Sequence, residues 1–297
     1  MALRTVHFLD LDPPLRDPAT SRVAVIPVPF EQTTSYVRGT SRSPARIIEA
    51  SAQVEFYDEE LGCEPCEVGI TTYPGQHPSD WPVSMEAMLE RVERLVEQAC
   101  AARHWPLLLG GEHTLTLGTV RALLRRTPGL CVLQLDAHAD LRQEYQGATL
   151  NHASIVARLR ELCPVVQLGI RALSRQEAER IQSENLPVIF AQEMNADGAW
   201  MDRALSALTG PVFLTIDMDY FDPSLIPAVG TPEPGGPGWR DTLVFLRRLF
   251  ASNPVLGADL VELCPREGDI NSDFITARLA YKIIGLRVRQ GFAAAAG

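Results

Sequence analysis

Residues 130–140 read LCVLQLDAHAD. Apart from Gln134 the first six are apolar and do not alternate, which suits a strand buried on both faces of a parallel sheet rather than one half-exposed to water. The run then stops on Asp136, His138 and Asp140, three ionisable side chains two residues apart, at the point where a buried strand should be ending. Seven other short apolar runs accompany it: VAVIPV (23–28), CEVGITT (66–72), PLLLG (106–110), PVVQLGI (164–170), PVIF (187–190), PVFLTID (211–217) and VLGADLVEL (255–263).

Helical patterns fill the intervals. Ser43-Pro44 predicts an N-cap followed by a proline in the first turn. Ser84 precedes MEAMLERVERLVEQACAARH, in which Met88, Val92, Val96 and Ala99 recur on one face. A last helix is expected near 273–287, burying Phe274, Ile275, Leu279, Ile283 and Ile284, with the tail GFAAAAG frayed. Eight strand–helix units leave two architectures, an open eight-stranded parallel sheet or a (β/α)8 barrel. Both place functional residues at the carboxyl ends of strands.

Composition narrows the function classes. With 297 residues, 46% hydrophobic and 22% charged, the chain can bury a large core. A net charge of −10 without a basic face argues against a nucleic-acid partner. The N-terminus, MALRTVHFLDLDPPLRDP, lacks the apolar core of a signal peptide. No apolar run reaches the roughly 20 residues of a membrane span, so the expected compartment is the cytoplasm. Six scattered cysteines read as free thiols, and Cys63 and Cys66, a C-x-x-C with no second pair, do not by themselves make a zinc or redox site.

Three strand ends carry the same chemistry. PLLLG leads into Gly111-Glu112-His113, LCVLQL into Asp136-Ala-His138-Ala-Asp140, and PVFLTI into Asp217-Met-Asp219. Alternate residues of an extended chain point the same way, so these segments converge if the extended conformation persists. Four carboxylates in one place repel each other unless cations neutralise them, and two divalent ions would balance four aspartates. Four Asp with two His is a hard, oxygen-rich set with some imidazole. It fits Mn²⁺ best, with Zn²⁺, Co²⁺ or Fe²⁺ as alternatives. Such a pair commonly activates water for hydrolysis. Taken singly, each Asp reads as a turn former or cap, and each His as a satisfied polar group.

Gly110-Gly-Glu-His113, Asp136-Ala-His-Ala-Asp140 and Asp217-Met-Asp-Tyr-Phe-Asp-Pro223 resemble the three signatures of the arginase/agmatinase ureohydrolases. The segment at 23–51, GTPEPGG (230–236) and DLVELCP (259–265) are similar to other parts of that family, so the resemblance spans most of the chain. It implies a single ureohydrolase domain over 1–297, with about 20 N-terminal and about 8 C-terminal residues peripheral. The implied fold is a three-layer open sheet of about eight mainly parallel strands with helices on both faces. The implied cofactor is two Mn²⁺ per chain. His113, Asp136, Asp140 and Asp217 would hold one ion, and Asp136, His138, Asp217 and Asp219 the other, so that Asp136 and Asp217 bridge.

Within that resemblance, Glu262 matches a guanidinium-binding glutamate and His152 a histidine that passes protons to the leaving amine. Asp140 would also take a hydrogen bond from the nucleophile. A guanidinium is planar and permanently charged, and its hydrolysis at neutral pH needs the strong nucleophile that a metal pair provides. Arginases carry an Asn two residues beyond the D-x-H-x-D motif. Here that position is Arg142, and the insert LRQEYQGATLNHAS resembles one branch of agmatinase-type enzymes. Glu144 could meet a distal ammonium and Arg142 a carboxylate. The preferred reading is agmatine cleaved to putrescine and urea. Aminopropylagmatine, arginine, guanidinobutyrate, a formimino compound and a non-catalytic metal-binding relative are the alternatives. Asn151 stands where the branch commonly has serine. The family also implies a homotrimer or homohexamer, a small cationic guanidino substrate, and no membrane or nucleic-acid partner.

Overall fold

The eight apolar runs all become strands, and every pairing is parallel. The computed structural model describes residues 6–194 and 198–292. Its strands are β1 (Val23–Val28), β2 (Ile70–Thr72), β3 (Trp105–Gly110), β4 (Cys131–Leu135), β5 (Val165–Ile170), β6 (Val188–Phe190), β7 (Val212–Asp217) and β8 (Val255–Val261). They lie in the order β2-β1-β3-β8-β7-β4-β5-β6, so β2 and β6 are free edges and the sheet is open. The barrel alternative is thereby excluded.

Strand periodicity sorts side chains into two cores. Val23, Val25, Leu107, Leu109, Leu133 and Leu135 pack on one face, with Ile47, Phe245, Leu249 and Ile283 from the covering helices. Ala24, Ile26, Leu108 and Val132 pack on the other, under Met88, Val92, Val96 and Val120. β1, β3, β4, β5 and β7 are buried at every position, which is why their sequences do not alternate. The result is a three-layer arrangement, an open sheet with helices packed on both faces.

Four local expectations are corrected. Ser43 is the first residue of its helix rather than the cap, and its hydroxyl donates to the Gly110 carbonyl at the end of β3 (2.9 Å). The run 66–72 is a strand only from Ile70, because Pro65 opens a 3-10 turn and Gly69 adopts φ 78° against Ser21. The last helix runs Ile270–Gln290, capped by Asp269, and its rotation leaves Phe274 41% exposed while Leu279, Ile283 and Ile284 are buried. Near the N-terminus, Phe8, Leu9 and Leu11 belong to the core rather than the periphery, and the Phe8 amide donates to Thr72 Oγ1 (2.9 Å). Of the tail GFAAAAG, residues 293–297 lie outside the described residues. Among those described, no helix is long and apolar enough to cross a membrane, and Cys63 and Cys66 are free thiols.

Adjacent strands β3, β8, β7 and β4 form the middle of the sheet. Their carboxyl ends are where His113, Glu262, Asp217 and Asp136 follow, the crevice in which open parallel sheets hold ligands.

Candidate metal centre

Turns, not continued strands, bring the ligand atoms together. After β3, a Cβ on Gly111 would lie 2.2 Å from the Phe30 carbonyl oxygen. Glycine alone lets segment 28–33 lie against this turn, where the Gly111 amide donates to Val28 and the Glu112 amide to Phe30 (both 2.9 Å). His113 then opens a 3-10 turn. β4 stops at Leu135, and Asp140 takes a left-handed conformation, φ 50°. β7 ends on Asp217, whose Oδ1 accepts from the Asp219 amide (2.9 Å) as the chain enters a 3-10 turn. Convergence by persistent extended chain therefore holds only to the strand ends. Asp140 and Asp219 arrive by tight turns instead.

All six expected side chains converge. His113 Nδ1 lies 3.2 Å from Asp136 Oδ2, 3.4 Å from Asp217 Oδ2 and 3.6 Å from Asp140 Oδ2. His138 Nδ1 lies 2.9 Å from Asp219 Oδ2 and 3.7 Å from Asp136 Oδ1. Asp136 thus turns one oxygen to each histidine, the posture of a bridging ligand. Bonds of about 2.0–2.2 Å to one ion place neighbouring donors roughly 3 Å or slightly more apart, which matches these separations. His113 Nδ1 is buried without a hydrogen-bond partner, while its Nε2 is tied to Thr215 Oγ1 (2.9 Å). A buried ring nitrogen with no partner, facing three carboxylate oxygens, fits a metal ion between them.

Charge makes the same point. Burial, then mutual repulsion, raises the Asp136 carboxyl and holds Asp140 and Asp217 well above the ordinary range. Burial acts upward on Asp219 too, but His138 beside it wins and holds it at about 2. Burial would lower His138, yet Asp219 and its neighbours push it up to about 11. Protein side chains alone can occupy this site only by sharing protons. Divalent cations relieve that repulsion.

A pocket of about 30 Å³ at these ligands includes Glu262 and Thr231, and it opens into a cavity of about 300 Å³ lined by Ser35, Arg142, Tyr145, Glu177 and Glu233 among others. Glu262 sits just past β8 at φ 62°, with Oε1 accepting from the His113 amide (2.8 Å). Burial, then Glu112 nearby, pushes it up to about 8. His152 edges both spaces, its ring set by Thr33 and Ser35 and, edge-on, by Tyr145. Asn151 is buried and donates to the Ala148 carbonyl (2.6 Å), fixing the loop before His152.

The expected tail-binding pair separates. Arg142 lines the cavity, over the Tyr145 ring (5.1 Å) and 3.8 Å from Glu177. Glu144 is exposed and does not line it. Glu177 is already engaged, by the amides of Leu141 and Ser174 and the Ser174 hydroxyl. Glu233, half-buried, is the lining acid whose carboxylate has no partner among the described residues. Its loop is held by Arg171, which donates to the carbonyls of Glu233, Pro234, Gly169, Asp219, Tyr220 and Phe221 at 2.7–3.3 Å. One guanidinium thereby fastens the 230–238 loop to the segment carrying Asp219. A larger groove of about 580 Å³ elsewhere is lined by Arg247, Arg287 and Arg289, the wrong sign for a cationic substrate.

The chain is similar to known proteins over most of its length. The family model described as "Arginase family" matches residues 21–286. The N(1)-aminopropylagmatine ureohydrolase of Synechocystis sp. is 43% identical over 276 residues, covering 90% of this chain and 89% of the relative. The agmatinase of Pyrococcus horikoshii is 32% identical over 292 residues, covering 97% of this chain and all of the relative. Among solved structures, the agmatine ureohydrolase of Thermoplasma volcanium superposes with a TM-score of 0.84 at 27% identity, covering 97% of this chain and 96% of the other.

Proposed function

The chain belongs to the arginase family and is a ureohydrolase; from that premise we propose that it hydrolyses N1-aminopropylagmatine to urea and the corresponding triamine, with agmatine as a poorer substrate. The observation that carries the hydrolase part of this reading is the six-residue Asp/His cluster at the floor of a cavity lined also by one free acid, Glu233. Agmatine itself is the reading of the sequence. The longer substrate is favoured because the 43% identical relative bears that name, while the agmatinase is 32% identical.

His113, Asp136, His138, Asp140, Asp217 and Asp219 would hold two manganese ions, with Asp136 and Asp217 serving in both ligand sets, and the metals would supply a strong nucleophile from water at neutral pH. The protein side chains do the rest. Glu262 receives the guanidinium, and the cation stabilises its ionised form against the burial that raises it. Asp140, held at φ 50° by its turn, takes a hydrogen bond from the attacking nucleophile. His152 gives a proton to the departing amine. Burial lowers its imidazole below the ordinary value, which eases that transfer. Glu233 meets an ammonium of the tail, and Arg142 narrows the cavity beside it rather than receiving a carboxylate. A cytoplasmic homotrimer or homohexamer that feeds polyamine synthesis belongs to the same reading.

The test is metal content with product analysis. Manganese-loaded protein should hold about two ions per chain and release urea and triamine in equal amounts from N1-aminopropylagmatine. Less than one ion per chain with no urea from any guanidino compound would refute the reading and leave a non-catalytic relative.

A further inference from the structure

The hydroxyl of Thr33 uses all of its hydrogen-bonding capacity at once. It has one proton and two lone pairs. Its oxygen lies 2.6 Å from Glu112 Oε1, 3.2 Å from the His152 amide and 3.2 Å from His152 Nδ1. The Glu112 carboxyl also accepts from the Thr114 hydroxyl on Oε1 and from the amides of Gln32 and Thr33 on Oε2. Amides can only donate, so Oε2 is an acceptor, and the Thr33 proton goes to Oε1. The two lone pairs of Thr33 are then left for the His152 amide and for a proton on Nδ1. On the far side of the ring, Nε2 lies 3.1 Å from Ser35 Oγ, which is 3.2 Å from the Tyr145 hydroxyl. Hydrogen bonds pointing from Tyr145 through Ser35 satisfy an Nε2 that carries a lone pair.

We propose that Thr33 and Glu112 are positioning residues that fix the His152 tautomer, with the proton on Nδ1 and Nε2 turned toward the cavity as the atom that takes up and delivers the proton. Neither residue touches the substrate; both act through the imidazole. In the transfer, the Nε2–H bond breaks as an N–H bond forms on the leaving amine, which keeps the electron pair of the broken C–N bond. The relay depends on Gly111, whose bare Cα lets segment 28–33 approach the Glu112 turn. The inference rests on the ureohydrolase reading, with His152 as proton donor. The other charged or titratable groups facing His152 are His138, His113 and Asp219, with Tyr145 at its edge.

The experiment uses manganese-loaded full chain and pH profiles of kcat. Thr33→Val removes the acceptor for Nδ1–H without changing shape. It should lower kcat by about tenfold and move the alkaline limb of the kcat profile, which reports the charged imidazole, to lower pH by roughly half a unit to one unit. KM and metal content should not change. Thr33→Ser, which keeps the hydroxyl, should restore kcat to within about threefold. Glu112→Gln can offer only one oxygen and should weaken the relay as Thr33→Val does. A Thr33→Val protein with wild-type kcat and pH limb would overturn the proposal. So would a Thr33→Ser protein as impaired as Thr33→Val, since that outcome reports packing. Wild-type protein that releases no urea from any guanidino compound would instead refute the functional reading itself.

Discussion

Replacing Glu233 by Gln tests whether the free acid of the cavity selects a cationic tail. The substitution keeps the side-chain shape and removes one charge from a residue whose backbone is fixed by Arg171 (2.8 Å to its carbonyl). A hydrogen bond to a charged group contributes about 1.5–3 kcal/mol. Glu233 is half-exposed, so solvent screening brings the expected loss to about 1 kcal/mol, roughly fivefold in kcat/KM. The assay is urea release from three compounds with the same four-carbon chain: agmatine with an ammonium tail, butylguanidine with a neutral tail, and guanidinobutyrate with a carboxylate tail. In Glu233→Gln, agmatine should lose about fivefold. Butylguanidine should be unchanged, and guanidinobutyrate should gain severalfold because a like charge has gone. Glu144→Gln, at an exposed position off the cavity, should leave all three unaltered. Equal losses on all three compounds would mean that Glu233 supports the loop rather than reads the tail. No loss on agmatine would remove it from recognition altogether.

Three further outcomes follow from the same geometry. Asp136→Asn should leave less than two metal ions per chain by elemental analysis and reduce turnover at least 1,000-fold, on the order of losing an electrostatic centre of catalysis, because an amide nitrogen cannot replace the oxygen turned to one of the histidines; retention of both ions would contradict the bridging assignment. Arg171→Met should orphan six carbonyls and lower stability by about 2–4 kcal/mol in urea unfolding, and an unchanged midpoint would show that the clamp is idle. Glu262, raised by burial to about 8 from an ordinary value of 4.5, binds its proton more tightly folded than unfolded. Its contribution to the stability of chelator-treated protein is therefore full below about pH 4.5 and is lost as pH rises to about 8. Asp140 and Asp217 act in the same direction. The melting temperature of metal-free protein should fall across that window while metal-loaded protein resists the fall; a metal-free protein that gains stability from pH 5 to 8 would refute the sign.

Much of the fold was legible because burial on both faces leaves an unmistakable sequence: β4 and β7 are apolar at nearly every position and then end on acids. The six convergent side chains were legible because three apolar strands all run into histidine or aspartates, which capping explains singly but not together. What the sequence hid was conformation. Nothing in DAHAD marks Asp140 for a left-handed turn, nor does VEL mark Glu262 for one. Partners far apart in the chain were equally hidden, because Thr33 and His152 are 119 residues apart and meet only through the close approach at Gly111. Glu144 drew attention by lying near the D-x-H-x-D motif, whereas Glu233 reaches the cavity because Arg171 folds a distant loop back over it. The one cue to Arg171 was a lone arginine directly after the apolar run LGI.

The central claim is that this Asp/His cluster serves guanidino hydrolysis on a polyamine-like substrate. The most direct measurement is kcat/KM for urea release by manganese-loaded protein offered N1-aminopropylagmatine, agmatine, guanidinobutyrate and arginine in parallel. N1-aminopropylagmatine should be turned over best, agmatine next, and the two carboxylates least, since the cavity holds a free acid at Glu233. Arginine or guanidinobutyrate turned over as well as N1-aminopropylagmatine would contradict the account.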